Sequence, residues 1–105
     1  MARYMVHFAY NSAAVADLVK NPQNVAAQVS SLTESIGGKI ESFYFTFGEY
    51  DGVVISEMPD NVTMAAISMA CAASGSFKSF QTTVLLTPEE AMEAMRQAGT
   101  FPPDI

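Results

Sequence analysis

Apolar and polar residues alternate along four segments of the chain with the two-residue period of β-strands. Residues 3–10 are apolar on both alternating faces, which is typical of a central strand buried on two sides. Residues 39–47 have an aromatic side and a polar side, made of Phe43, Phe45 and Phe47 and of Ser42, Tyr44 and Thr46. A tight connection follows, and residues 52–58 and 76–86 are predicted to form the third and fourth strands.

Helical spacing and end signals predict two helices between the first and second strands. The first helix begins after Asn11 and ends before Pro22. The second is predicted to carry one apolar face, formed by Val25, Val29, Leu32 and Ile36. Gly37 follows at the position where a left-handed C-terminal cap is needed.

Capping residues define two later helices. Asp60 is predicted to cap a helix over residues 61–74, and Gly75 is predicted to end it. The stretch 87–90 places Thr at the cap, Pro at the first helical position and Glu three residues beyond the cap. This pattern predicts a last helix that runs to Ala98.

The order β, α, β, β, α, β, α predicts an α+β fold of the ferredoxin-like βαββαβ type, with a four-stranded antiparallel sheet and an extra C-terminal helix. Residues 1–98 are expected to form one domain and residues 99–105 a tail. No helix is left to cover the second face of the sheet. Because the first strand is apolar on both sides, we expect this face to pack against a second copy, giving a dimeric α+β barrel.

Composition excludes several classes of partner. The chain of 105 residues is half hydrophobic and has a formal charge of -6, with basic residues scattered singly, so no nucleic-acid partner is expected. No segment approaches the roughly 18 apolar residues of a membrane span, and a cytoplasmic protein without membrane association is predicted. One cysteine, Cys71, and one histidine, His7, cannot complete a structural zinc site, and cofactor motifs are lacking. Neither a metal nor a cofactor is predicted.

The run GGKIESFYFTFGEYDGVVISEMPDNVTMAAISMACAASGSFKSF resembles the GYD family, which is named after a Gly, Tyr, Asp motif at the hairpin between strands two and three. The motif stands here as Gly48, Tyr50 and Asp51, with Glu49 intervening, and PDN then opens the next helix as in that family. The resemblance covers most of the chain and is strongest over residues 37–86. It implies the fold and the dimer described above and no particular reaction.

His7, in the middle of the first strand, is the first candidate for chemistry. It shares a face with Met5 and Ala9 and lies opposite the aromatic side of the strand. If the aromatic side meets the helices, His7 points into the barrel cavity. An imidazole there can act as acid or base near neutral pH, and Met5 can line a pocket for an apolar ligand. The alternative is a histidine that donates one hydrogen bond within an interface.

Tyr44 and Ser42 can supply hydroxyl groups to the same cavity, where sparse polar groups orient a ligand. Alternation within one strand does not say whether His7 and Tyr44 lie on the same side of the sheet. Tyr50 and Asp51 are further candidates because loop residues at a cavity mouth often contact ligands. Their alternative role is structural: Asp51 accepts backbone hydrogen bonds and Tyr50 covers apolar surface.

Two functions are compatible with the sequence. In the first, the protein binds a small, largely apolar metabolite in a cavity between sheet and helices or between subunits, with or without acid–base chemistry at His7. In the second, it is a non-catalytic homodimeric interaction or regulatory module whose cavity is filled by its own aromatic residues. The sequence does not decide whether the protein is an enzyme, and it names neither ligand nor reaction.

Overall fold

Four strands form one antiparallel sheet in the order β2-β3-β1-β4, in a computed structural model that describes residues 1–104. The elements are β1 (Ala2–Tyr10), α1 (Ser12–Lys20), α2 (Val25–Ser35), β2 (Lys39–Phe45), β3 (Gly52–Met58), α3 (Asn61–Ala73), β4 (Phe77–Leu85) and α4 (Pro88–Ala98). This is the predicted ferredoxin-like α+β arrangement, and the prediction is confirmed. Ile105, the last residue of the predicted tail, lies outside the described residues.

The core lies between the sheet and the helices. The aromatic side of β1, with Tyr4, Val6 and Phe8, is buried under the helices together with Val54 of β3 and Met64 of α3. Helix α2 packs on β2, and α3 packs on β3 and β4. The alternation of β1 therefore points the aromatic side chains at the helices, as the sequence-based hypothesis for His7 requires.

The predicted helix ends are confirmed by their hydrogen bonds. The Asp60 carboxylate accepts the Thr63 N–H at 2.8 Å, which satisfies a free donor at the start of α3. At the start of α4 the Thr87 hydroxyl accepts the Glu90 N–H at 3.1 Å, and the Glu90 carboxylate accepts the Thr87 N–H at 2.9 Å. Gly37 ends α2 with a φ of +86°, a conformation that favours glycine.

Two expectations for the apolar faces are wrong. Phe47 lies beyond the end of β2 and is fully exposed, because the chain leaves the sheet where the Thr46 N–H donates to the Asp51 carbonyl. Leu32 is 62% exposed, and Thr33 is buried in its place. Thr33 can face the sheet because its hydroxyl donates to the Val29 carbonyl at 2.7 Å, so that no polar group is left without a partner.

Helix α4 extends away from the rest of the molecule and does not pack on the sheet. The radius of gyration is 16.7 Å and the longest dimension is 57 Å, whereas a compact chain of about 100 residues has a radius near 13 Å. Its apolar side chains Met92 and Met95, and Phe101 beyond its end, are exposed. We call residues 87–104 the C-terminal arm.

Candidate functional site

One face of the sheet carries no helix, and its side chains stand in rows because paired residues of antiparallel strands point to the same side. The first row contains Tyr44, Val53, His7 and Gln81. The second row contains Ser42, Ile55, Met5 and Thr83. The third row contains Lys39, Glu57, Arg3 and Leu85. We call the surface formed by these three rows the open face.

His7 lies at the centre of the first row and is covered by Tyr50 from the connection between β2 and β3. The two ring centroids are 5.1 Å apart and the rings are tilted by 40°. The Tyr50 hydroxyl donates to the Gln81 side-chain oxygen at 3.0 Å, which fixes the phenol ring across His7 and β4. Tyr50 thus joins the open face, and one edge of His7 is shielded while the ring stays partly accessible.

Tyr44 stands at the other end of the same row and is 68% exposed. Val53 lies between Tyr44 and His7, so the apolar side chain of Val53 has a polar group on each side. In the second row the Ser42 and Thr83 hydroxyls flank the apolar residues Ile55 and Met5 in the same way. The two rows together form an apolar surface bordered by hydrogen-bonding groups, which is the usual composition of a small-molecule site.

Asp51 has a different position from the other predicted site residues. Its carboxylate accepts the Tyr10 N–H at 2.8 Å, and its own N–H donates to the Phe8 carbonyl at 2.8 Å. These bonds tie the β2–β3 connection to the end of β1. The side chain borders a shallow depression next to Val15 and Phe45, on the helix side of the sheet and away from the open face. This geometry is that of the structural alternative considered for Asp51.

Arg3 forms an ion-pair cluster in the third row. Its guanidinium lies 2.9 Å from the Glu41 carboxylate and 3.1 Å from the Glu57 carboxylate. The hydrogen bond and charge of Glu41, followed by the charge of Glu57, raise the pKa of Arg3. All three side chains are partly exposed, and surface pairs of this kind add little stability. Their effect is to make the end of the open face at the third row charged.

The sheet brings together five of the six residues that the sequence suggested, namely His7, Met5, Ser42, Tyr44 and Tyr50. It leaves Asp51 apart. Sequence reasoning missed Gln81, which anchors Tyr50 and completes the row of His7. The alternation of β4 places Gln81 and its apolar neighbour Phe80 on opposite faces of the strand. Only the pairing of β4 with β1 shows that Gln81 lies beside His7.

Neither a cluster of metal-ligating side chains nor a membrane-spanning helix is present in residues 1–104. In that range no three His, Cys, Asp or Glu side chains converge as they would around an ion. None of the helices described has the length and apolar run that a bilayer span requires.

Comparison with known proteins gives a family and supports the fold. The family model described as GYD domain matches residues 4–95. The crystal structure of FFRP-DM1 is similar at 13% sequence identity, with 82% of this chain and 100% of that chain covered and a TM-score of 0.53. The crystal structure of hypothetical protein PHS023 from Pyrococcus horikoshii is similar at 12% identity, with 83% and 92% covered and a TM-score of 0.51. At these identities the two structures show the fold alone. The comparison with curated proteins found no match.

Proposed function

This chain belongs to the GYD family, and we propose that it is a homodimer that binds a small, largely apolar metabolite between the open faces of its two copies. The observation that carries the proposal is the convergence of His7, Tyr44 and Tyr50 on one uncovered face of the sheet. Polar side chains collect on an uncovered sheet face by default, but here they surround the apolar side chains of Val53, Ile55 and Met5. Their convergence around apolar residues is what a ligand site requires.

The second copy is the occupant that best accounts for the uncovered surfaces. Four strands at about 4.8 Å spacing and seven residues at about 3.3 Å rise give the open face a projected area on the order of 400 Å². A stable interface buries about 800 Å² on each partner, so the sheet face alone falls short. The C-terminal arm supplies a further surface, because its apolar side chains Met92, Met95 and Phe101 are each more than half exposed. In the proposed dimer each arm lies against the partner.

The groups on the open face define the ligand class. The imidazole of His7 and the hydroxyls of Tyr44, Ser42 and Thr83 can hydrogen-bond to a carbonyl or hydroxyl group. Val53, Ile55 and Met5 between them favour an apolar body, and Met5 can adapt its shape. We therefore propose a neutral metabolite with one ring or short branched chain and one or two oxygen atoms. His7 binds it, and the ring nitrogens of His7 are the groups of this site that can transfer a proton.

Native mass spectrometry of the freshly purified protein tests the proposal. The expected result is a dimer mass that carries a discrete adduct, which is lost when the protein is denatured. His7→Ala and Tyr44→Ala should stay dimeric and lose the adduct, because each removes a hydrogen-bonding group of the open face. Phe47→Ala is the matched control: it truncates a fully exposed aromatic outside the open face and should keep both dimer and adduct.

Other outcomes would point elsewhere. A monomer at micromolar concentration would contradict the dimer and with it the proposed site. A dimer without any adduct, whose stability alone changes in His7→Ala, would favour the interaction module with a filled cavity. An adduct that persists in both open-face variants would place the ligand at a different site on the protein.

A further inference from the structure

A second cavity lies on the other side of the sheet, between the sheet and the helices. Helix α2 covers β2 and α3 covers β3 and β4, and a gap of about 100 Å³ is left between these helices above the centre of the sheet. Its walls come from both helices, through Val29 and Ile67, and from the sheet, through Val54 and Ser56. The sheet separates this cavity from the open face, so the two regions do not share a surface.

The walls of this cavity are apolar except for a few hydroxyl and thiol groups. None of the residues that line it is Asp, Glu, His, Lys or Arg. A charged ligand would lose its hydration there without gaining a partner. The occupant that the walls accept is therefore neutral.

Ser56 is the polar group that points to a ligand. It is 2% exposed and lines the cavity, yet its hydroxyl takes part in none of the side-chain hydrogen bonds of the described residues, unlike that of the neighbouring Thr33. No fully enclosed side-chain nitrogen or oxygen in residues 1–104 lacks a partner. The Ser56 hydroxyl therefore contacts the cavity space, where it can donate or accept one hydrogen bond.

We propose that this cavity is a binding site for a neutral molecule of about four to seven non-hydrogen atoms, with one hydroxyl or carbonyl group bonded to Ser56. The lower figure follows from comparison with an apolar cavity of about 150 Å³ in another protein, which holds the six carbon atoms of benzene. A ring of six or seven atoms requires the flexible side chains of Met58 and Met64 in the walls to shift. The site is separate from the one proposed between two copies.

The far end of the cavity has the same low-polarity character. Burial raises the pKa of the Cys71 thiol. Burial is also the main cause that raises the pKa of the Tyr10 phenol, with smaller contributions from Asp51 and Cys71. Both groups line the cavity in their neutral forms at neutral pH. A hydrogen bond to Ser56 therefore forms in a cavity whose wall contains no charged side chain to compete for it.

Phenol and toluene form a matched pair of probes, because toluene replaces the hydroxyl with a methyl group of similar size. Protein labelled with ¹³C at the methyl groups of Val, Ile and Met is titrated with each probe and followed by NMR. Both probes should shift the methyl signals of Val29 and Ile67, and because phenol also fits the ligand class proposed for the open face, the signals of Met5 and Ile55 report binding at that face separately. Ser56→Ala should weaken phenol about fivefold, the effect of one net hydrogen bond, and should change toluene less than twofold.

Two further variants serve as controls. Ser31→Ala makes the same change at an exposed position of α2 outside the cavity lining and should leave both affinities unchanged. Ile67→Phe fills the cavity and should abolish binding of both probes. Cys71→Leu, which adds volume at the other end, replaces it if Ile67→Phe does not fold.

Three results would overturn the proposal. The first is that neither probe shifts the cavity methyl signals at millimolar concentration, which would mean that water fills the gap or that the helices move together and close it. The second is that binding survives the cavity-filling variant. The third is that Ser56→Ala weakens phenol and toluene equally, which would remove the assigned hydrogen bond. Each is independent of whether the protein forms a dimer.

Discussion

Asp51, in the connection between β2 and β3, is expected to contribute to the free energy of unfolding. Its hydrogen bonds in the structure give the size of that contribution. Its carboxylate accepts the Tyr10 N–H at 2.8 Å, whereas its two backbone bonds, to Phe8 and from Thr46, survive any side-chain change. A hydrogen bond to a charged group contributes about 1.5 to 3 kcal/mol, and a neutral one about 1 kcal/mol. Asp51→Ala should therefore lower the free energy of unfolding by about 2 kcal/mol, and Asp51→Asn by about 1 kcal/mol because the amide oxygen can still accept.

Urea unfolding followed by circular dichroism at pH 7 measures both effects. With a slope near 2 kcal/mol per molar urea, the midpoint of Asp51→Ala should fall by about 1 M. Glu49→Ala, in the same connection but with an exposed side chain, is the control and should lie within about 0.5 kcal/mol of the wild type. An Asp51→Ala protein as stable as this control would refute the structural role. If that protein also lost a bound ligand, Asp51 would belong to a site.

Three other predictions follow from the fold. A Cβ at Gly52 would lie 2.2 Å from the Phe8 ring, so Gly52→Ala should lose about 1 to 3 kcal/mol in urea unfolding, and an unchanged midpoint would contradict the close approach. The backbone hydrogen bond from Thr63 lowers the pKa of Asp60, so the wild type should exceed Asp60→Asn in stability above the unfolded pKa near 4, and the gap should close as the pH falls through the folded pKa. Urea midpoints at pH 7 and at pH 2.5 test this, and a gap independent of pH would count against it. A chain that ends at Leu86 should still unfold cooperatively, because the C-terminal arm adds little to its own core, but should sediment as a monomer where the full chain is a dimer.

Local sequence determined the elements of this protein and the ends of its helices. Asp60 and the Thr87 to Glu90 box cap their helices as predicted, because a capping hydrogen bond joins residues three positions apart. The strands and their alternation were likewise readable, including the separation of the aromatic side of β1 from the side that carries His7. These features depend on neighbours along the chain, so the sequence contains the information that decides them.

The tertiary structure alone decided which of these residues meet. His7 and Tyr44 share a face because of the register of β2 on β3, which shifts between Ile40 and Ser42. One residue more or less in that shift would turn Tyr44 to the opposite side. Gln81 reaches Tyr50 only through the pairing of β4 with β1. Such contacts join residues far apart in the chain, and their geometry is set by the packing of the whole sheet, which no local pattern records.

The same reason explains the residues that were placed wrongly and the one left apart. By their spacing, Leu32 and Thr33 can each belong to the buried face of α2. The orientation of α2 on the sheet decides that Thr33 is buried and Leu32 is exposed. Asp51 turns away from the open face because the end of β1 offers it the Tyr10 N–H. Periodicity gives the side chains that point together within one element, and packing between elements decides which of those sides is buried, which is exposed and which forms a site.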